Sequence, residues 1–330
     1  MNSFNLFTYL QLFVFISLLR SKHIEKKFLI ERGNIYNLRI RHILFMKEDE
    51  FRLLDSKPLF DVEVSSECNA RCVFCPRDLF DSIKTKLMTK ETMKMVSEWI
   101  PRGSSVMVSG VGEPLLNPNL EVLIHFLRSR DVNVSIITNG SLLNDHRIRT
   151  LIDSGVNEIQ VSFQSIIPQK YSDIMIGLDY QVVANNIKRL SEIGSSKIKL
   201  RLNSVSVMTH DEQNSFVEYA KSIGFVPFIR NVHSRGGLLY APNIQSESCG
   251  IFPSTTVITT DGDIMMCANN RLGSGIGTIG STSFHQILEI KRKMLSQPMS
   301  DICKMCDDEY RWIILKSGDV HKIKSLESKE

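Results

Sequence analysis

The sequence predicts an α/β protein built on a parallel sheet and followed by a smaller α+β unit. Two observations predict the first part: six short runs of β-branched and apolar residues recur between Pro58 and Arg230, and amphipathic helical stretches alternate with them. A third marks where the alternation ends, because Val257 to Cys267 reads as an antiparallel hairpin around Asp261-Gly262. Right-handed crossovers make six such strands parallel. The pattern alone is compatible with a partial barrel or a doubly wound sheet, and in both the chemistry belongs in the loops after strand C-termini.

Phe60 to Val64 alternates like a strand, and Thr89 caps a helix running toward Ile100. Ser105 to Ser109 is the second strand. Asn117-Pro118 then opens a helix, with Asn as cap and Pro at the first position, whose Leu120, Leu123, Ile124 and Leu127 share one face. Val132 to Thr138 is the third strand, followed by a helix from Asn144 to Ser154 that stops at Gly155. Glu158 to Phe163 is the fourth strand, and the helix from Tyr180 to Ile193 ends at Gly194. Lys197 to Val207 and Phe225 to Arg230 complete the six, separated by a helix from about Asp211 to Ile223 that Gly224 closes.

A chain of 330 residues with 42% hydrophobic and 23% charged residues has room for two folded domains and excludes disorder, collagen-like sequence and coiled coil. The net charge of +4 is local: Arg20 to Phe45 holds seven Lys/Arg against Glu25 and Glu31, a surplus of +5, so the remainder is near neutral. No nucleic-acid surface is implied. Met1 to Leu19 is uncharged and apolar, but its basic residues follow the apolar run, against the order of a secretory signal. Residues 1–45 therefore read as an apolar and basic extension with two meanings left open, a membrane anchor or an upstream segment before a start at Met46.

Directly after the first strand comes Cys68-Asn-Ala-Arg-Cys72-Val-Phe-Cys75, a C-x3-C-x2-C run. Three thiolates from one loop suit an iron-sulfur cubane that keeps one iron free of protein ligands. Zinc is the alternative, but a structural zinc site asks for a fourth ligand that the loop does not contain. The motif resembles that of radical S-adenosylmethionine (SAM) enzymes, with Phe74 at the aromatic position. Gly112-Glu113-Pro114, after the second strand, is similar to the family's Gly-Gly-Glu-Pro element, with Val111 in place of the first Gly. The resemblance implies that Gly112, Glu113 and Pro114 engage the SAM amino group, and it extends weakly to Asn139 and Gln164 at the ends of strands three and four. It also implies a partial (β/α)6 TIM-like barrel as the core fold.

The other four cysteines are Cys249, Cys267, Cys303 and Cys306. Their C-x17-C, gap, C-x2-C array resembles the shorter, Twitch-type form of the SPASM auxiliary-cluster domain of many radical SAM enzymes. A full set of four thiolates leaves no open iron, so this second [4Fe-4S] cluster would exchange electrons and not hold substrate. A structural zinc ribbon is the alternative. The implied organisation is an extension over 1–45, a radical SAM core over 46–240 and an auxiliary domain over 241–330.

The resemblance implies SAM and two [4Fe-4S] clusters as cofactors, a flavodoxin- or ferredoxin-type reductant, and cleavage of SAM to a 5′-deoxyadenosyl radical that takes a hydrogen atom from substrate. The cysteine spacing is similar to that of radical dehydrogenases acting on an aminocyclitol alcohol, which makes a sugar or cyclitol alcohol the candidate small-molecule substrate. A maturase acting on a peptide or protein side chain is the second expectation, and a metal-stabilised binding module without chemistry the third. Arg201, Asn203, Arg230, His233 and Arg235 qualify as substrate contacts by their position at late strand ends, but none is singled out as catalytic. Seven reduced cysteines predict a cytoplasmic protein. Gly273 to Gly277 reads as turns and not as a nucleotide fingerprint, because no suitable helix follows it.

Overall fold

The computed structural model describes residues 47–79, 85–206, 208–270, 273 and 275–322. The extension predicted over residues 1–45 lies outside the described residues. Among the described residues no helix is long and apolar enough to cross a membrane.

A helix over residues 47–54, α1, precedes strand β1, Leu59–Val62. The strands β3 (Ser105–Val108), β4 (Asn133–Thr138), β5 (Glu158–Ser162), β7 (Lys199–Ser206) and β8 (Val226–Asn231) follow β1 across the sheet in that order, each parallel to its neighbour. All six predicted strands are therefore present as a sequential parallel sheet, the arrangement of a partial (β/α)6 barrel. Helices α2 (Lys90–Trp99), α3 (Leu120–Arg128), α4 (Asp145–Asp153), α5 (Pro168–Ile174), α6 (Tyr180–Gly194) and α7 (His210–Ser222) make the crossovers. On α3, Leu120, Leu123, Ile124 and Leu127 are all fully buried. Burial of each side chain is worth about 1.5–3 kcal/mol, so this stripe fixes the helix on the sheet.

Two local expectations need correction. Asn117 does not cap α3, whose first turn starts at Leu120 after Asn119. Asn117 is fully buried instead: its Nδ2 donates to the carbonyls of Val64 at 2.8 Å and Met88 at 3.0 Å, and its Oδ1 accepts from the Asn119 amide at 2.9 Å. The Met88 amide already donates to the Val64 carbonyl at 2.9 Å, so Asn117 adds a second donor there and serves the Met88 carbonyl, and this buried role outweighs capping. The hairpin of β9 (Thr255–Ile258) and β10 (Asp263–Met265) also differs. Its loop is not a two-residue Asp-Gly turn. Thr259 and Gly262 close a turn, and Gly262, at φ 85°, adds the left-handed residue of a three-residue loop.

The hairpin joins the same sheet. β9 lies parallel to β1, with Leu59 opposite Thr255 and Val62 opposite Ile258, and β11 (Gly277–Thr278) forms the edge beyond β10. A short helix α8, Ile251–Ser254, precedes β9, and helix α9, Phe284–Leu295, follows β11 with a Ser283–Gln286 capping box; its Phe284 ring packs 5.5 Å from Phe60 on β1 and 5.5 Å from Trp99 on α2. One aromatic cluster thus ties the C-terminal residues to the first βα unit.

Candidate active site

Strand β1 delivers the chain to the cysteine loop through a tight turn in which the Ser65 hydroxyl donates to the Glu67 carbonyl at 3.0 Å and accepts from the Glu67 amide at 3.1 Å. A two-residue strand, β2 (Arg71–Cys72), pairs antiparallel with β6 (Met175–Ile176), so Cys72 faces Met175 and their sulfurs lie 3.4 Å apart. The Cys75 amide bonds back to the Cys72 carbonyl, and Arg77 donates to the Cys68 carbonyl at 3.1 Å. The loop is therefore stapled at both ends while all three thiols remain partly exposed and unpaired. A cavity of about 490 Å3 opens beside Cys68, walled by Ser66, Glu67, Asn69, Arg77, Thr85 and Leu116, within the usual size range of a ligand site.

Burial pushes the Cys72 thiol up to about 12, and its neighbours Cys75 and Cys68 add to the shift. Cys68 is raised by burial too, with Glu113 adding to the shift and Arg77 opposing it. Cys68 and Cys72, held in the thiol form by burial, are poor free nucleophiles. A bound cationic centre would reverse that logic by holding them as thiolates.

Gly112-Glu113-Pro114 packs directly on this loop. A side chain at Gly112 would collide with the backbone carbonyls of Ser65 and Glu67, which is why Gly is required there, and the Glu113 amide donates to the Glu67 carbonyl at 2.6 Å. The Glu113 side chain is buried and turned inward: Oε1 accepts from Thr138 Oγ1 at 2.6 Å and the Leu115 amide at 3.0 Å, and Oε2 accepts from the Asn139 amide at 2.8 Å. Burial raises its pKa against the pull of those donors. A carboxylate has about four acceptor positions, so one remains for a further donor. Asn139 completes the junction, its Nδ2 donating to Asn69 Oδ1 at 2.9 Å. Gln164 is buried and accepts from the Val205 amide at 2.7 Å, bracing β5 against β7.

Cys249, Cys267, Cys303 and Cys306 line a single pocket together with Phe252, Asn269 and Arg311. Burial raises Cys249 to about 12 and also raises Cys267 and Cys306, and each of the three is raised further by at least one other cysteine of the group. Among the described residues no three Cys, His, Asp or Glu groups converge closely enough to hold a single metal ion. A cubane asks for something different, thiols that surround a pocket, because each binds its own iron. Two residues that sequence reasoning missed hold this arrangement. Arg311 is fully buried and donates to the carbonyls of Ser248, Cys303 and Cys306. Glu50 of α1, also fully buried, accepts from the Cys249 amide at 2.6 Å and pairs with Lys47.

The late strand ends divide. Arg201 pairs with Glu158 at 2.9 Å and stacks on Phe228, and Asn203 donates to Gln160, so both brace the sheet. Arg230, His233 and Arg235 gather instead around Asp308. Arg230 bonds Asp308 at 3.0 Å, His233 Nε2 lies 3.5 Å from it, and Asn269 links Asp308 with Arg235. Burial would raise Asp308, but Arg230 and His233 outweigh it and hold its pKa below the ordinary carboxylate range. His233 is buried with neither ring nitrogen hydrogen-bonded, and burial lowers its pKa to about 4. Arg235 feels both Cys75 and Cys267, one cysteine from each group.

Among known proteins, the radical SAM superfamily model matches residues 62–221. A protein of Methanocaldococcus jannaschii described as a probable GTP 3',8-cyclase is 27% identical over 168 residues, 50% of this chain and 55% of its own length. The chain thus spans about half the length of the curated relatives it matches. Two solved structures are similar in fold. BtrN in complex with AdoMet and 2-DOIA superposes with a TM-score of 0.53 at 19% identity over 77% of this chain and 94% of its own. Streptococcus suis SuiB bound to the precursor peptide SuiA does so with 0.62 at 14% identity over 91% of this chain and 82% of its own. With its cysteine loop at the mouth of a sequential parallel sheet, the stretch over residues 62–221 is a radical SAM domain.

Proposed function

We propose that this chain is a radical SAM oxidoreductase that oxidises a sugar or cyclitol alcohol, with a SAM-binding core over residues 46–240 and an auxiliary-cluster domain over 241–330. The observation that carries the reading is the division of the seven unpaired cysteines into a loop of three beside a ligand-sized cavity and a set of four around one pocket. Cys68, Cys72 and Cys75 would hold a [4Fe-4S] cluster, which together with SAM would supply the radical chemistry that takes a hydrogen atom from carbon. The chain's own residues bind, orient and screen. The Gly112 to Pro114 turn sets a backbone edge against the cysteine loop, where the SAM amino group would sit. Glu113 and Asn139 lock that turn to the end of β4. Cys249, Cys267, Cys303 and Cys306 would hold a second cluster whose four protein thiolates suit it to electron uptake. Arg235 and His233 are the contacts proposed for a substrate hydroxyl, one a cation and the other an imidazole that burial keeps neutral. Unpaired cysteines throughout support a reducing, cytoplasmic setting and a flavodoxin- or ferredoxin-type electron donor.

Oxygen-free reconstitution tests the reading. The chain should take up about eight irons, two cubanes' worth, and release 5′-deoxyadenosine from SAM. Scored by product mass against cyclitol alcohols, peptides and GTP, it should oxidise an alcohol by two hydrogens. Stoichiometric zinc at the second site overturns the oxidoreductase reading, and a cyclised nucleotide or modified peptide redirects the substrate assignment.

A further inference from the structure

Lys291 is a charged residue on the apolar stripe of α9, between Ile287 and Leu295 at helical spacing, and all three are buried. Its side chain is fully buried, an arrangement seldom found for lysine without a partner. The Nζ donates to the Thr255 carbonyl at 2.6 Å and to Thr256 Oγ1 at 3.0 Å, both on β9. It lies 5.5 Å from the centre of the Phe252 ring, and Phe252 forms part of the wall of the pocket that holds the four C-terminal cysteines. No carboxylate pairs with Lys291 among the described residues. Burial lowers its pKa to about 7, and the one charged group that opposes this is Cys267. Arg311 lines that pocket, buried and bonded through its nitrogens to carbonyls and the Met299 sulfur, and it differs from Lys291 in that the buried carboxyl of Glu50 feels its charge.

A buried cation without a carboxylate partner, as Lys291 is among the described residues, is costly unless an anion faces it. Four thiolates around a metal centre are such an anion. We propose that Lys291 is a fixed counter-charge of the centre held by Cys249, Cys267, Cys303 and Cys306, and that it raises the reduction potential of that centre. A cation held near a redox centre in a low-dielectric interior stabilises the more negative, reduced state. Lys291 is therefore a positioning residue that acts through the field. The proposal rests on the iron-sulfur assignment of the second site, and the experiment separates the two.

The test is an oxygen-free redox titration of the reconstituted full chain, followed by electron paramagnetic resonance, with the first site identified as the signal that changes when SAM is added. Lys291→Met, close in shape but uncharged, should move the second site's midpoint to a more negative potential and leave the first site's midpoint in place, with the iron count unchanged. Lys291→Arg, which keeps the charge, should retain the parent midpoint. Thr256→Val, which removes one anchor of the ammonium, should give a smaller shift in the same direction and keeps the question decidable if Lys291→Met does not load iron. Second-site iron with an unmoved midpoint in Lys291→Met, or in Thr256→Val where the former fails to load, overturns the Lys291 role alone. Zinc at the second site of the parent chain overturns the cluster assignment beneath it.

Discussion

The two cysteine groups are built differently. The loop of three emerges from a strand end, keeps its thiols partly exposed beside an open cavity, and has the buried carboxyl of Glu113 near Cys68. The set of four comes from three separate stretches of chain and surrounds its pocket, with Cys306 buried, Arg311 in the wall and Lys291 against Phe252. Both sites carry charges of each sign, Glu113 and Arg77 at the first and Glu50, Asp308, Arg311 and Lys291 at the second. The difference that remains is one of ligand number, three thiols against four, so the first site keeps a position for a further ligand and the second does not.

The largest expected effects break the contrast outright. Replacing Cys68, Cys72 or Cys75 by Ala should reduce 5′-deoxyadenosine formation to background while the second site still loads about four irons, one cubane's worth. The reverse change, Cys303→Ala or Cys306→Ala, should spare SAM cleavage and lose the oxidised product. Product formation that survives these changes counts against an electron-accepting role. Gly112→Ala sharpens the picture at the first site, because the added methyl collides with the carbonyls of Ser65 and Glu67. It should abolish the spectral change on adding SAM without altering the iron count.

Smaller effects report on the scaffold. Asn117→Ala strips the Met88 carbonyl of its donor, while the Val64 carbonyl keeps the Met88 amide, and one buried group left unsatisfied costs about 1–3 kcal/mol. Chemical denaturation should therefore show a loss of about 1–3 kcal/mol. Leu123→Ala, on the buried face of α3, should cost about 2–5 kcal/mol with both iron sites retained. If either change empties the first site selectively, Asn117 or α3 contributes to the loop more directly than its hydrogen bonds and packing indicate.

Most of this architecture is legible in the sequence because the signals are local. The alternation of six strands with helices rests on periodicities of two and 3.6, and the first cysteine motif lies within eight residues, Cys68 to Cys75. Lys291 was readable in principle, since a lysine in line with Ile287 and Leu295 interrupts an apolar stripe. Glu50 was not: it stands in a charged run, Lys47 to Glu50, that resembles a solvated face, and its bond to the Cys249 amide spans 199 positions. Asn117 misleads for a related reason. Asn-Pro before an apolar stripe is the local text of a cap, and what overrides it is a pair of carbonyls 53 and 29 positions away. Local patterns specify elements and ligand spacing. Charge compensation between distant segments appears only when the chain is folded.

The central claim is that one centre is open and the other closed. Its most direct test is electron paramagnetic resonance of the reduced, reconstituted chain before and after adding SAM. The account predicts two signals of equal weight, of which only one changes with SAM, and that one disappears in Cys72→Ala. A single signal, or two that both change with SAM, would contradict it.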